Sequence, residues 1–95
     1  MTERITNLRD AIEDGHECKT LHDHSVPVRE MFGEQVVWEG VVEVFALMGH
    51  PKATRCYAWN FKDGTTTRYI TVLELPPVDS PHTAVRAAIA SKAQK

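Results

Sequence analysis

The chain lacks a long hydrophobic run, an apolar N-terminal segment and a set of paired cysteines. Its apolar runs fall well short of the roughly 20 residues that a membrane-spanning helix needs, so no membrane partner is expected. The first residues, MTER, contain no apolar stretch, and no signal peptide is predicted. Cys18 and Cys56 form no framework of spaced pairs, so two reduced thiols in a cytoplasm are the simplest interpretation.

A strong charge of either sign is also missing. The net charge is −2, but residues 1–35 carry four bases against eight acids, whereas residues 36–95 carry seven bases against five acids. This balance is far from the basic surface of a non-specific nucleic-acid binder. With 95 residues, of which 42% are hydrophobic, the chain has the size of one soluble domain with a thin core.

Two turn signals divide the middle of the chain into three apolar-rich runs. The runs are residues 36–48, 55–61 and 68–75, and the turn signals are residues 49–52 (GHPK) and 62–65 (KDGT). Ser80 is a good helix N-cap and Pro81 suits the first helical position, so an alanine-rich helix is predicted from there. The pattern predicts a three-stranded antiparallel sheet followed by a C-terminal helix.

The N-terminal third is less regular. Residues 3–14 place Ile5, Leu8 and Ile12 on one face of a short predicted helix. Residues 15–34 are predicted to be irregular. The expected fold is therefore a single α+β domain of the order α-β-β-β-α, with an N-terminal leader at residues 1–34 and the sheet and second helix at residues 35–95.

Four possible metal ligands lie close together in the leader. They are His16, Cys18, His22 and His24. Imidazole and thiolate are ligands for zinc and other late transition metals, and residues two apart in an extended chain share a face. The spacing matches no familiar zinc motif, so a solvated histidine-rich linker is the competing interpretation.

The sequence carries no constellation that is typical of catalysis. It has no glycine-rich phosphate loop and no nucleophile elbow. Cys56 lies in a predicted strand and is interpreted as a small buried hydrophobe, and the nearness of Cys18 to histidines in sequence does not establish a catalytic pair. An enzyme is therefore not expected.

A stripe of aromatic residues follows the second predicted strand. Arg55, Tyr57, Trp59 and Phe61 alternate, so they share one face of that strand. Such a stripe can pack as core beneath a helix, form the centre of a protein interface, or stack on the bases of a nucleic acid. The sequence leaves all three open.

Part of the chain resembles the double-stranded-RNA-binding domain. The predicted order helix, three strands, helix is that of the family, residues 49–52 occupy the position of its minor-groove loop, and residues 84–93 are similar to its alanine-rich second helix. The resemblance implies that His50 and Lys52 would contact RNA. Residues 38–61 also resemble short bacterial proteins of no assigned activity, which implies a bacterial or mobile-element origin and no activity.

These observations favour a non-catalytic binding module of a bacterial cytoplasm, acting through a protein interface or as a homodimer. The interface would include His50, Lys52 and the aromatic stripe. Binding of double-stranded RNA is the first alternative. A small protein that binds zinc through residues 16–24 is the second.

Overall fold

An antiparallel β-sheet with one helix on each face forms the fold of residues 3–93, the part of the chain that the computed structural model describes. The elements are α1 (Glu3–His16), β1 (Lys19–Phe32), β2 (Gln35–Met48), β3 (Arg55–Asp63), β4 (Thr66–Leu73) and α2 (Pro81–Ala93). The strands lie in the order β1-β2-β3-β4, so each pairs with its neighbour in sequence. The predicted α+β class with an antiparallel sheet and a helix at each end is confirmed.

The sheet of residues 3–93 has four strands, so the predicted three-stranded sheet is wrong. The additional strand is β1, which lies within residues 15–34, the segment predicted to be irregular. Pro27 is tolerated there because β1 is an edge strand, where a missing N–H breaks no ladder on the outer side. The order is therefore α-β-β-β-β-α, which departs from the order on which the resemblance to the RNA-binding family was based.

A bulge at Asp23 interrupts the alternating pattern by which β1 could have been recognised in the sequence. His22 pairs with Phe45 and His24 pairs with Val44, so Asp23 is an extra residue with no partner on β2. Directly paired residues share a face of the sheet. His22 and His24 consequently lie on opposite faces, although residues two apart in a regular strand would share one.

The first core lies between α1 and the sheet. Ile5, Leu8 and Ile12 are buried there, as the helical periodicity predicts. They pack with buried side chains of the sheet and the β2–β3 loop, which are Cys18, Phe45, Leu47, Ala53, Cys56 and Ala58. Alone a helix of this length would be marginal in water, so the packed apolar stripe is what stabilises α1.

The second core lies on the opposite face, beneath α2. The helix begins at Pro81 as predicted, with the N–H of Thr83 donating to the Ser80 hydroxyl at 3.2 Å. Ala84 and Val85 are fully buried, and they pack in one cluster with Tyr57 and Trp59 of β3. Neither helix within residues 3–93 has the length and apolar character that crossing a bilayer requires.

Candidate interaction surface

The predicted aromatic stripe lies on one face of β3, and its centre is covered by α2. Tyr57 and Trp59 are only 1% and 2% exposed. The Tyr57 hydroxyl donates a hydrogen bond to Glu74, and burial together with this bond raises the pKa of Tyr57. The two rings therefore act as core, whereas Arg55 is exposed and Phe61 is half-buried at the two ends of the stripe.

The loop between β2 and β3 carries the two residues that the family resemblance singled out. The Nδ1 atom of His50 accepts hydrogen bonds from the backbone N–H groups of Lys52, at 3.1 Å, and Ala53, at 2.9 Å. The imidazole thus organises its own loop, and its ring meets that of His16 edge-on at a centroid distance of 6.4 Å. Lys52 is exposed.

Three of the four predicted metal ligands contact other groups in the fold. His16 Nε2 lies 3.0 Å from the Thr71 hydroxyl, and His22 Nε2 lies 2.7 Å from a carboxylate oxygen of Glu43. Cys18 is buried in the core beneath α1.

The fourth predicted ligand, His24, lies on the other face of the sheet from His22. Its Nδ1 atom lies 3.1 Å from a carboxylate oxygen of Asp23. Within the part of the chain that the structure describes, no three His, Cys, Asp or Glu side chains form a group that could hold a metal ion.

Both thiols are buried and held in the protonated form. Burial raises the pKa of Cys56 to about 12, and burial with the nearby charge of Glu13 raises the pKa of Cys18. Because the thiolate is the nucleophilic form, neither sulfur is activated at neutral pH.

Several exposed large apolar side chains lie on a projecting part of the sheet that the sequence did not single out. Pairing between β2 and β3 ends at Glu43 with Ala58, but β1 and β2 stay paired as far as Phe32 with Gln35. Residues 27–41 therefore form a two-stranded ribbon, here called the arm. A two-residue loop closes it, with Gly33 at a φ of 63°.

The arm concentrates apolar side chains in solvent. Among the described residues it holds five of the eight exposed large hydrophobic side chains, which are Met31, Phe32, Val36, Val37 and Val41. Phe32, next to the loop, is 79% exposed. Because large apolar side chains in a soluble protein are mostly buried, such a concentration makes the arm a candidate surface for contact with another molecule.

Two anchors fix the arm to the rest of the fold. At its base on one face, the Arg4 guanidinium donates to the Val41 carbonyl at 2.8 Å and to the Asn60 side chain at 2.9 Å, and it pairs with the Glu43 carboxylate. This one side chain therefore bridges β2 and β3 where the two strands separate.

The second anchor lies on the other face. Glu30 of the arm is 7% exposed and accepts hydrogen bonds from Arg86 and His82 of α2. The hydrogen bond from Arg86 outweighs burial and, with His82, lowers the pKa of Glu30. The carboxylate therefore stays ionised and ties the arm to α2.

A groove of about 630 Å³ opens beside the arm, between β2, the β3–β4 hairpin and α2. Its floor and walls are mainly apolar and include Trp38, Trp59, Phe61, Ile70, Ala88 and Ile89. The rim is charged, with Lys62, Asp63 and Arg68 at the end of the hairpin.

Gly40 makes room for Trp38, which forms the wall of this groove nearest the arm. A Cβ atom at this position would lie 2.9 Å from the Trp38 ring, so a side chain here would displace the indole. The glycine lets the ring lie over the strand and meet Trp59 edge-on at a centroid distance of 5.6 Å.

Comparison with known proteins found no relative of this chain. The chain matches no protein-family model, no curated protein and no solved structure.

Proposed function

We propose that this protein is a non-catalytic interaction module whose contact surface is the apolar arm. The observation that carries the proposal is the concentration of exposed large hydrophobic side chains there, from Met31 to Val41. Exposing them to water is unfavourable, and covering them on binding recovers about 25 cal/mol per Å² of apolar surface.

The anchors of the arm support the same proposal. A binding surface gains affinity when it is rigid before the partner arrives, because less conformational entropy is lost on binding. The bonds of Glu30 to α2 and of Arg4 to β2 and β3 hold the arm in one orientation. Protonated, buried thiols agree with a role that does not require nucleophilic chemistry.

Site-specific crosslinking in the source cells tests this function. A photoreactive phenylalanine analogue would replace Phe32, and a matched variant would carry it at Tyr69, which is 40% exposed on β4 and lies outside the arm. We expect one discrete crosslinked adduct from position 32 and none of that mass from position 69. The proposal is overturned if position 32 gives no discrete adduct or the same adducts as position 69.

Binding of double-stranded RNA is a second proposal, supported by the exposed Lys52 in the β2–β3 loop and the exposed Arg55 that begins β3. It predicts an affinity that falls steeply with salt concentration and that the Lys52→Glu substitution weakens. Absent or salt-insensitive RNA binding would contradict it. The loop lies outside the arm, so this titration is independent of the crosslinking result.

A further inference from the structure

We infer that the partner of the arm is a second copy of this chain, and that the end of each arm docks into the groove of the other copy. The inference rests on the proposed function, because it takes the arm as the contact surface and names what receives it.

One chain presents both halves of an apolar contact. Phe32 projects from the end of the arm with 79% of its surface exposed, on the same face of β1 as Glu30, which contacts α2, whereas Met31 and its partner Val36 lie on the opposite face. The groove offers an apolar recess of about 630 Å³, walled by indole, phenyl and aliphatic side chains. A projecting aromatic side chain in an apolar pocket is a common anchor of protein interfaces.

The end of the arm and the rim of the groove carry side chains of opposite charge. Glu34 lies in the loop at the end of the arm, immediately beyond Phe32, and it is exposed. Exposed Lys62 lies on the rim of the groove. When Phe32 of one copy enters the groove of the other, Glu34 and Lys62 would meet at the edge of the groove. This pair of opposite charges favours the docked orientation of the arm over the reversed one.

The arm and the groove are close together in the fold. Trp38 belongs to the same hairpin as Phe32 and forms the near wall of the groove, so the projection and the recess lie at the same end of the molecule. Two copies related by a two-fold axis can therefore exchange arms, each filling the groove of the other. Such a contact closes on itself and gives a dimer, whereas an unreciprocated contact would build filaments.

Pairing through the outer edge of β1 is the competing way to use the arm. Pro27 cannot donate a hydrogen bond to an added strand, and the bulge at Asp23 interrupts the edge. Both are devices that protect edge strands from pairing. The outer edge of β1 is thus protected against pairing, and the face and end of the arm remain open to a second copy.

Sedimentation equilibrium on the full chain, from about 1 µM to about 1 mM, tests the inference. Phe32→Ser removes the projection, Ala88→Glu blocks the groove, and Leu21→Ser is a matched control. Leu21 is 61% exposed and lies on β1 outside the arm.

We expect a monomer–dimer equilibrium in the unmodified protein. If each docked arm contributes about tenfold to the association constant, Phe32→Ser and Ala88→Glu each raise the dissociation constant about 100-fold, because both contacts are lost. Leu21→Ser should leave it within about twofold. Circular dichroism and the urea midpoint would establish that each variant is folded.

Mixing Phe32→Ser with Ala88→Glu gives the sharpest outcome. The heterodimer keeps one intact contact, between the unmodified Phe32 of one chain and the unmodified groove of the other. Its dissociation constant should lie about tenfold above that of the unmodified dimer, and about tenfold below that of either variant alone. Tryptophan fluorescence should shift to the blue as the dimer forms, because the half-buried Trp38 becomes covered, whereas Trp59 is already buried.

A protein that stays monomeric throughout this range, or a dimer unaffected by Phe32→Ser and Ala88→Glu, overturns the inference. So does a mixture that associates no better than its components. An adduct from position 32 with a different protein, found together with a monomer in sedimentation, would overturn the self-docking and leave the proposed function standing.

Discussion

The guanidinium of Arg4 and the buried carboxylate of Glu43 form an ion pair at the point where β2 and β3 separate. Glu43 is 2% exposed, and it also accepts hydrogen bonds from Ser25 and His22. Burial by itself would raise the pKa of Glu43, but these donors, with Arg4, lower it below its ordinary value. One carboxylate thus joins α1, β1 and β2.

Removing the arginine should destabilise the fold. Arg4→Met leaves Glu43 buried with only Ser25 and His22 as partners, and we expect the free energy of unfolding to fall by about 2–3 kcal/mol. Urea unfolding monitored by fluorescence would measure it. Arg29→Gln is the control, because the Arg29–Glu39 pair is exposed and should contribute less than about 1 kcal/mol. Equal losses in both variants would contradict the importance of the buried pair.

The stability of the protein should decline in acid. The pKa values of Glu30 and Glu43 are lower in the folded protein than in the unfolded chain, so the unfolded state binds more protons as the pH falls. Their contribution is complete above about pH 5 and is lost as the pH falls below about 4.5 toward the folded-state pKa values.

Urea midpoints measured from pH 7 to pH 3 would follow this decline. Glu43→Gln should be less stable than the unmodified protein at pH 7, and the difference should shrink at pH 3. Asp10→Asn, at an exposed position on α1, should run parallel to the unmodified protein. A stability difference between Glu43→Gln and the unmodified protein that does not change with pH would contradict a lowered pKa of Glu43.

The thiols should be unreactive while the protein is folded. Cys18 and Cys56 are at most 9% exposed, and burial raises the pKa of both. We expect a disulfide reagent such as dithionitrobenzoate to modify neither at pH 8 without denaturant, and both within minutes in urea. Rapid modification of the native protein would show that the core beneath α1 opens without global unfolding.

Adding one methyl group at Gly40 should disturb the groove. In Gly40→Ala the new Cβ would approach the Trp38 ring to 2.9 Å, so the indole must shift relative to Trp59, which it now meets edge-on. We expect a loss of about 1 kcal/mol in stability and a changed near-ultraviolet circular dichroism of the tryptophans. Gly15→Ala, with open space around its Cβ, is the matched control and should leave that spectrum unchanged.

Much of the fold could be predicted because its signals are local. The turn at residues 62–65, the cap at Ser80 and the alternation in β3 each depend on a few neighbouring residues. The strand β1 was missed because Pro27, charged residues and the bulge at Asp23 each remove part of the pattern by which strands are recognised. An edge strand tolerates all three, and edge position follows from the topology of the sheet.

The candidate surface was harder to predict for the same reason. Met31, Phe32 and Val36 stand out only when β1 is known to exist and to extend beyond β3. Tyr57 and Trp59 share a face as the alternation indicates, but which helix covers that face is a property of the packed structure. Alternation assigns residues to the two faces of a strand, but tertiary contacts decide which face is buried.

The bulge at Asp23 also bears on how this chain can change in length. β1 carries one residue more than its pairing with β2 uses, so deleting Asp23 would join His22 to His24 in regular register, with every later side chain still on its own face. The same deletion at Arg29 would turn Val28 or Glu30 to the wrong side. The strand therefore holds a spare position, and insertions and deletions in related genes should accumulate there.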